Sequence, residues 1–296
     1  MKLFTFSLRK HSFLGLEVGN KILNLTSAEI AYNNLNRSRN QYLLKNMLTF
    51  VRNSSKATDL TQKILELGVN GLLFDFQDIS LQPPLFNPGK ILCAGINYKS
   101  HTRENPEATI PKTPYFFAKL PSVIIGPFEK IIKPKLTQQL DYEVELAVII
   151  GKEMKNVSED KVIEKIFGYS IMNDVSARDI QFDEGQLTLA KNFDTFAPLG
   201  PCIVTKDESP NIGDIKLKTF VNNKLMQTGS TSDWVFSLPE LISYLSQVMT
   251  LYPGDIVSTG TPAGVGYFRK PQFFLKKGDK ITMEIEKIGK LENSVA

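Results

Sequence analysis

The stretch DYEVELAVIIG, residues 141–151, places two carboxylates in Glu-x-Glu spacing inside a segment that otherwise has the composition of a buried strand. Side chains alternate across a strand, so Glu143 and Glu145 are expected on one face together with Asp141. Two carboxylates held side by side on a half-buried sheet are costly if they stay unpaired. The spacing therefore predicts a cation between them, and a divalent metal ion is the natural candidate.

A third acidic ligand is offered by Asp174, where the short apolar run at 168–172 gives way to a polar turn. Three carboxylates, no cysteine pair and only two histidines favour a hard ion, Mg²⁺ or Mn²⁺ with Ca²⁺ possible, over zinc. A Glu-x-Glu pair also occurs by chance on the solvated face of a strand. The residues alone therefore leave metal binding and a solvated face as alternatives.

The composition is that of an ordinary globular protein. The chain has 296 residues, 42% of them hydrophobic, which is enough for one large domain or a large domain with a small one. Its 35 basic and 31 acidic residues are interspersed, so the net charge of +4 gives little support for nucleic-acid binding. Cys93 and Cys202 lie in apolar contexts, which predicts buried packing roles in a reducing compartment. No apolar run approaches the ~20 residues of a membrane span, and we expect a cytoplasmic protein that binds neither nucleic acid nor membrane.

The secondary-structure patterns change at the proline-rich stretch 82–89. Before it, we predict strands at 3–8 and 13–25, with a hairpin turn at 18–21, and helices at 27–35, 39–52 and 57–67. After it, we predict short strands at 91–94, 115–117, 123–125, 143–150, 168–172, 201–204, 215–221, 256–259 and 281–286, and helices at 158–166 and 238–249. The predicted fold class is α+β and β-dominated, with a small N-terminal α+β domain at 1–85 and a larger domain at 86–296 built on a closed or rolled sheet.

Five segments of the larger domain form a set. They are NYKSHTRE (97–104), DYEVELA (141–147), NDVSARDIQ (173–181), KNFDTFAPLGP (191–201) and TGTPAGVG (259–266). In this order they resemble the fumarylacetoacetate hydrolase family. The resemblance implies a mixed β-sandwich roll, a homodimer, and Mg²⁺ or Mn²⁺ bound by Glu143, Glu145 and Asp174.

His101 and Glu104 lie three residues apart, which on a helix is most often an ordinary surface pair. In the Asn-Tyr-x-x-His-x-x-Glu context, the resemblance implies a catalytic dyad in which the carboxylate orients the imidazole as a base toward water. In hydrolase-like and lyase-like members this segment resembles a mobile lid, which residues 105–119 would extend. His11, the other histidine, is expected on the surface.

The resemblance also suggests substrate contacts. Arg178 could bind a substrate carboxylate, or it could form a structural ion pair with Asp179 or Asp183. Lys191 could place an ammonium beside the metal ligands, the alternative being an ordinary surface lysine. Thr261, in a Gly-rich loop, could hold the carboxylate of a 2-oxo acid.

Gln181 is assigned to the same substrate site. The predicted activity is metal-dependent hydrolysis of the C–C bond of an acylpyruvate-type 2,4-dioxo acid, such as fumarylpyruvate or acetylpyruvate, through a metal-stabilised enolate. Oxaloacetate decarboxylation, isomerisation of 2-hydroxyhepta-2,4-diene-1,7-dioate and dehydration of a 2-keto-3-deoxy sugar acid could use the same site, and a fold does not rank them. The non-enzymatic alternative is a module that binds Ca²⁺ structurally, at a site closed by protein oxygens.

Overall fold

The structure, a computed structural model, describes residues 1–37, 42–68, 70–105, 109–209 and 211–296. Its strands are β1 Lys2–Leu8, β2 His11–Val18, β3 Lys21–Asn24, β4 Leu73–Asp75, β5 Ser80–Gln82, β6 Ile91–Gly95, β7 Tyr115–Lys119, β8 Ile124–Ile125, β9 Lys130–Ile131, β10 Leu140–Asp141, β11 Val144–Ile150, β12 Ile166–Asn173, β13 Ser176–Ala177, β14 Ala197–Thr205, β15 Lys216–Val221, β16 Lys224–Ser230, β17 Ile256–Ser258, β18 Lys280–Ile285 and β19 Gly289–Val295. Its α-helices are α1 Leu25–Leu35, α2 Met47–Arg52, α3 Ser54–Leu67, α4 Lys99–Glu104, α5 Val162–Lys165, α6 Arg178–Phe182, α7 Leu187–Ala190 and α8 Leu238–Val248.

A large mixed sheet crosses the molecule in the order β4-β3-β2-β1-β14-β12-β11-β17-β6-β7. At its centre, β11 and β12 are antiparallel neighbours, and every residue of both strands is buried. Such continuous apolar runs are expected where both faces of a sheet are covered. The next strand, β17, runs antiparallel to β11 and parallel to β6.

A second sheet of five strands, in the order β16-β15-β18-β19-β9, lies against one face of the first. Its strands β15 and β18 alternate between buried and more exposed residues, the pattern of a sheet with one face on the core. Their inward side chains, among them Leu217 and Met283, share one apolar cluster with Val144, Leu146 and Val148 of β11. The predicted fold class, α+β and β-dominated with two packed sheets, is confirmed.

The N-terminal segment continues the large sheet. β1 pairs antiparallel with β14, with Leu3 opposite Ile203. Helices α1, α2 and α3 cover the face of the large sheet that the five-stranded sheet leaves uncovered. On this face, Phe50 of α2 packs edge-on against Phe167 of β12. α1 is capped by Asn24, whose side chain accepts a hydrogen bond from Ser27 N. The division at residue 85 stays a prediction, since sheet pairing and apolar core cross it.

Several predicted elements differ from the structure. The helix predicted at 158–166 consists of a 3₁₀ turn at Glu159–Lys161 followed by the single turn α5, and it ends there because Ile166 already begins β12. The helix predicted at 39–52 falls partly on 38–41, outside the described residues, and its described part is helical only in α2. Residues 115–119, assigned to the lid, form β7 and pair with β6. The strands β16 and β19 were not predicted, because their sequences KLMQTGS and GKLENSV carry few apolar residues.

The expectations for the two cysteines and for His11 hold. Both cysteines are buried and free, and His11 is exposed. In the part of the chain that the structure describes, no helix has the length and apolar character needed to cross a membrane.

Candidate active site

Three carboxylates meet where β11 begins and β12 ends. Glu143, Glu145 and Asp174 each offer an oxygen within 4.8 Å of the others, and all three side chains are buried. The antiparallel register, with Val144 opposite Asn173, brings these strand ends together. Glu143 lies one residue before the strand instead of within it, and its backbone oxygen accepts a 3.0 Å hydrogen bond from Asp174 N.

Two buried ammonium groups bind this cluster. Lys191 Nζ lies 2.8 Å from Glu143 Oε2 and 2.6 Å from Asp174 Oδ2. Lys119 Nζ donates to Asp174 Oδ1 at 2.6 Å and to the backbone oxygen of Lys191 at 2.6 Å. Lys191 was predicted to lie beside the acids, whereas Lys119 was not predicted. The only signal for Lys119 is a lysine at the end of an otherwise apolar strand, which by itself is indistinguishable from a solvated strand end.

Each of the three guanidinium nitrogens of Arg178 donates a hydrogen bond to a protein side chain. Its Nε donates to Asp141 Oδ2 at 2.9 Å, its Nη2 to Glu143 Oε1 at 2.6 Å and its Nη1 to Gln181 Oε1 at 3.0 Å. The arginine therefore forms a structural ion pair, but with Asp141 and Glu143 and not with the aspartates of its own segment. Gln181 lines the cavity described below. A direct substrate contact for either residue stays a prediction.

His101 and Glu104 are brought together on α4. His101 Nδ1 lies 3.0 Å from Glu104 Oε2, and Glu104 Oε1 accepts a 2.7 Å hydrogen bond from Gly264 N. With Nδ1–H donating to the carboxylate, Nε2 carries the imidazole lone pair. The start of α4 is anchored by Asp233, which accepts a 2.7 Å hydrogen bond from Ser100 N. The helix therefore presents an oriented base.

The loop after β17 closes the site from the other side. Glu145 Oε2 accepts hydrogen bonds from Ser258 Oγ and from Gly260 N. Gly260 has φ +89°, and a Cβ there would lie 3.1 Å from Ala94 O, so the close approach favours glycine. Thr261 Oγ1 donates to Val144 O at 2.9 Å and accepts from Gln227 at 2.8 Å. The hydroxyl hydrogen assigned to a substrate carboxylate is thus used within the protein, although Thr261 lines the cavity.

These residues surround one cavity of about 170 Å³. Its polar end is formed by Glu143, Glu145 and Lys191, with His101 and Gln181 at the sides. Ile96, a β-branched residue with φ +54°, also lines it, and such strained backbone is frequent at functional sites. A cavity of this volume corresponds to about six water molecules, which indicates a small ligand.

The pKa values of Glu143 and Glu145 are shifted in opposite directions. Burial raises the pKa of Glu143, but Arg178 and Lys191 outweigh it and hold this pKa far below its usual value. Burial, Asp174 and Glu143 raise the pKa of Glu145 well above its usual value, and Ser258 and Lys191 offset this only in part. Among the described residues, no lysine or arginine forms an ion pair with Glu145, and Lys191 offsets its charge only in part.

The acidic side chains of this centre are Asp141, Glu143, Glu145 and Asp174, and the cationic ones are Lys119, Arg178 and Lys191. One negative charge is thus left over among these described residues. Clustered carboxylate oxygens with an uncompensated charge are the donor set that hard divalent cations prefer. The residues present fit Mg²⁺ or Mn²⁺.

Residues 90–296 match the family described as fumarylacetoacetate (FAA) hydrolase C-terminal. The chain belongs to the fumarylacetoacetate hydrolase family. Among its relatives is a protein of Bos taurus named oxaloacetate tautomerase FAHD2B, mitochondrial, which is 40% identical over 286 residues, 95% of this chain and 87% of the relative. The relative's location differs from the cytoplasmic one that we expected.

Two solved structures of fumarylacetoacetate hydrolase family proteins are also similar. A fumarylacetoacetate hydrolase from Exiguobacterium antarcticum is 35% identical, with a TM-score of 0.82 and coverage of 100% of this chain and 99% of that one. Maleylpyruvate hydrolase from Sphingobium sp. SYK-6, in complex with manganese (II) ion and pyruvate, is 30% identical, with a TM-score of 0.80 and the same coverage. The predicted family is confirmed, and its named members are enzymes.

Proposed function

We propose that this family member is a divalent-metal-dependent enzyme that interconverts the keto and enol forms of oxaloacetate. The observation that carries the proposal is an oriented base, His101, lining the same small cavity as Glu143 and Glu145 of the acidic cluster. The bovine relative, similar over 95% of this chain, supports oxaloacetate as the substrate.

Glu143, Glu145 and Asp174 would hold Mg²⁺ or Mn²⁺, and the manganese of the related maleylpyruvate hydrolase supports this choice. When bound, the ion supplies Lewis-acid stabilisation of the negative charge that develops on the 2-oxo oxygen. Arg178 holds the pKa of Glu143 below its usual value, and Lys119 fixes Asp174 in position by a hydrogen bond. Lys191 offsets their charge and presents an ammonium to an anionic substrate.

Tautomerisation moves one proton between C3 and the oxygen on C2, and it breaks no C–C bond. In the direction of the enol, Nε2 of His101 takes the proton from C3 and delivers it to the oxygen on C2; in the direction of the ketone, it takes the proton from that oxygen and delivers it to C3. Glu104 accepts a hydrogen bond from Nδ1 of His101 and stabilises the imidazolium that forms. Gly264 N donates a hydrogen bond to Glu104 and fixes this carboxylate in turn. Each of these groups keeps its place in both directions of the reaction.

The enol of oxaloacetate absorbs in the ultraviolet, so its decay after dissolving the solid acid reports the reaction directly. We expect the protein with Mg²⁺ or Mn²⁺ to accelerate this decay, and excess EDTA to abolish the acceleration. Decay at the uncatalysed rate with both metals would overturn the proposal. A protein with only a structural Ca²⁺ site would also leave the decay at the uncatalysed rate. Such a site, closed by protein oxygens, would not bind oxalate.

The second candidate is hydrolysis of an acylpyruvate, and the similarity to the pyruvate-bound maleylpyruvate hydrolase favours it. In that reaction His101 and Glu104 activate a water molecule toward the distal carbonyl. Pyruvate release from acetylpyruvate or fumarylpyruvate, coupled to NADH oxidation, detects it. Release of pyruvate from oxaloacetate, faster than the spontaneous reaction, would indicate decarboxylation instead.

We also propose that the protein is a homodimer, as the family resemblance implies, and that it acts in the cytoplasm, as expected in the sequence analysis. Light scattering during size-exclusion chromatography tests the first point, and a dilution series shows whether the dimer is stable at enzyme concentrations. Fractionation of the source cells tests the second.

A further inference from the structure

The cavity has two chemically different ends. Beside the carboxylates, part of its wall is apolar and mostly aromatic, formed by Tyr115, Phe182, Leu187 and Phe268, whereas the Phe117 ring lies at the polar end, 4.9 Å from Lys191 Nζ. Among the described residues, the lysines and arginines that line the cavity are Arg178 and Lys191, and both are bound to carboxylates at the polar end. Within the part of the chain that the structure describes, the aromatic wall therefore contributes apolar contact surface and no lysine or arginine.

The aromatic wall is assembled from separate elements. The Phe182 ring of α6 lies 4.6 Å from the Tyr267 ring and 6.3 Å from the Phe268 ring, both in the loop after β17. Phe268 packs edge-on against His101 of α4, with ring centroids 5.8 Å apart. The wall thus directly adjoins the proposed base.

Two of these aromatic side chains stand at the mouth of the cavity. Phe182 is 41% exposed and Tyr115 is 47% exposed. Large aromatic side chains left half in solvent beside a cavity are not explained by core packing, and they commonly mark a ligand-binding surface. A ligand group against them would cover apolar surface that is otherwise in contact with water.

We propose that the cavity also accepts pyruvates carrying an aromatic group on C3, the class of phenylpyruvate, and interconverts their keto and enol forms. The proposal rests on the proposed function, since the pyruvate moiety takes the same place as in oxaloacetate. The aromatic ring lies against Phe182 and Phe268. In the step from enol to ketone, the C2 hydroxyl loses its proton and C3 gains one, so no co-reactant is consumed.

The size of the cavity agrees with this assignment. An apolar cavity of about 150 Å³ is sufficient to bind benzene. The present cavity of about 170 Å³ is lined by Phe182 and Tyr115, which are both partly exposed, so a ring against them can extend toward solvent while the acid group lies near Lys191.

The test compares phenylpyruvate with oxaloacetate, each followed by ultraviolet absorption of its enol in the presence of Mg²⁺. For Phe182→Ala we expect the ratio of kcat/KM for phenylpyruvate to that for oxaloacetate to fall about tenfold, because an aromatic contact is lost. Phe182→Leu, which keeps an apolar surface, should show a smaller fall. Phe128→Ala is the matched control, because Phe128 is 66% exposed and lies outside this cavity; it should leave the ratio unchanged.

Isothermal titration calorimetry with phenylpyruvate gives a readout that needs no turnover. Turnover of oxaloacetate without turnover or binding of phenylpyruvate would overturn this inference and leave the proposed function intact. Phenylpyruvate turnover that is insensitive to both Phe182 variants would also overturn it. Calorimetric binding that weakens in Phe182→Ala, with neither acid turned over, would support the aromatic site while removing the proposed function.

Discussion

Lys119 Nζ lies 2.6 Å from Asp174 Oδ1, and neither side chain exposes any surface to solvent. The second oxygen of Asp174 is bound by Lys191, so both carboxylate oxygens have a cationic partner. Through Lys119, the edge strand β7 is joined to the end of β12 and to the residue that follows α7. The ion pair therefore fixes the third carboxylate of the cluster by connecting segments far apart in the chain.

Replacing Lys119 by Met should destabilise the protein strongly. The substitution keeps most of the side-chain volume but removes one of the two cations that compensate the buried Asp174, and breaking a buried pair in this way costs about 3–5 kcal/mol. Thermal denaturation should show a large fall in Tm. Lys290→Met removes an exposed pair with Glu284 and should leave Tm almost unchanged. Similar shifts for both variants would contradict the structural role of Lys119.

His101→Ala should lower kcat by about 10²–10⁴-fold, because it removes the proposed general base. The side chain is partly exposed, and its loss should change Tm little. His11→Ala is the control, since the other histidine lies exposed at the start of β2. Comparable activity of the His101→Ala variant and the wild type, in the oxaloacetate assay with saturating metal, would remove the dyad from the mechanism.

Gly264→Ala should damage both stability and activity. Gly264 has φ +108°, and a Cβ there would lie 2.2 Å from Met226 O, so the loop must shift and carry its N–H away from Glu104. Gly278 has a similar φ of +93° but open space around it, so Gly278→Ala reports the backbone strain alone. We expect a larger loss of Tm for Gly264→Ala and a loss of kcat only in that variant. Equal effects of the two substitutions would argue against the anchoring of Glu104 by this loop.

Stabilisation by metal should increase with pH. The pKa of Glu145 is higher in the folded protein than in the unfolded chain. Without metal, the folded protein therefore loses stability as the pH rises from the pKa of the unfolded chain through the higher pKa of the folded protein. A divalent cation favours the ionised form, so the rise in Tm on adding Mg²⁺ should be larger near pH 8 than near pH 5. Differential scanning fluorimetry across this range measures it.

Glu145→Gln is the control for that experiment, because the amide does not titrate. It should bind Mg²⁺ weakly, and its residual stabilisation should vary less with pH. A metal-induced shift in the wild type that is constant from pH 5 to pH 8 would argue against Glu145 as the group that titrates on binding.

The part of the site carried by neighbouring strands was predictable from the sequence. Glu145 and Asp174 lie at the ends of strands whose apolar runs are obvious, and His101 and Glu104 share one helical turn. For such residues, local periodicity already fixes which side chains can meet. The sequence also predicted the fold class, because β-rich runs dominate residues 90–290.

The contacts between distant segments were not predictable. Lys119 reaches Asp174 only because β7 pairs with β6 at the sheet edge, a pairing that no local pattern encodes. A structural ion pair was only the alternative considered for Arg178, and its partner Asp141 is 37 residues away, so proximity in sequence pointed to the wrong aspartates. Charge compensation in a buried cluster depends on the final packing, and the sequence shows only that charges of both signs are available.

The pairing of β1 with β14 has a consequence for how such chains can be recombined. The family match begins at residue 90, but the hydrogen-bonded sheet continues past that point into the first strand of the chain. A hybrid enzyme that joined a foreign N-terminal segment to this catalytic region would have to supply a strand complementary to the edge left by β14. Without one, that edge would stand open to pairing with other chains. Exchange of the N-terminal segment is thus constrained by edge complementarity and not by linker length.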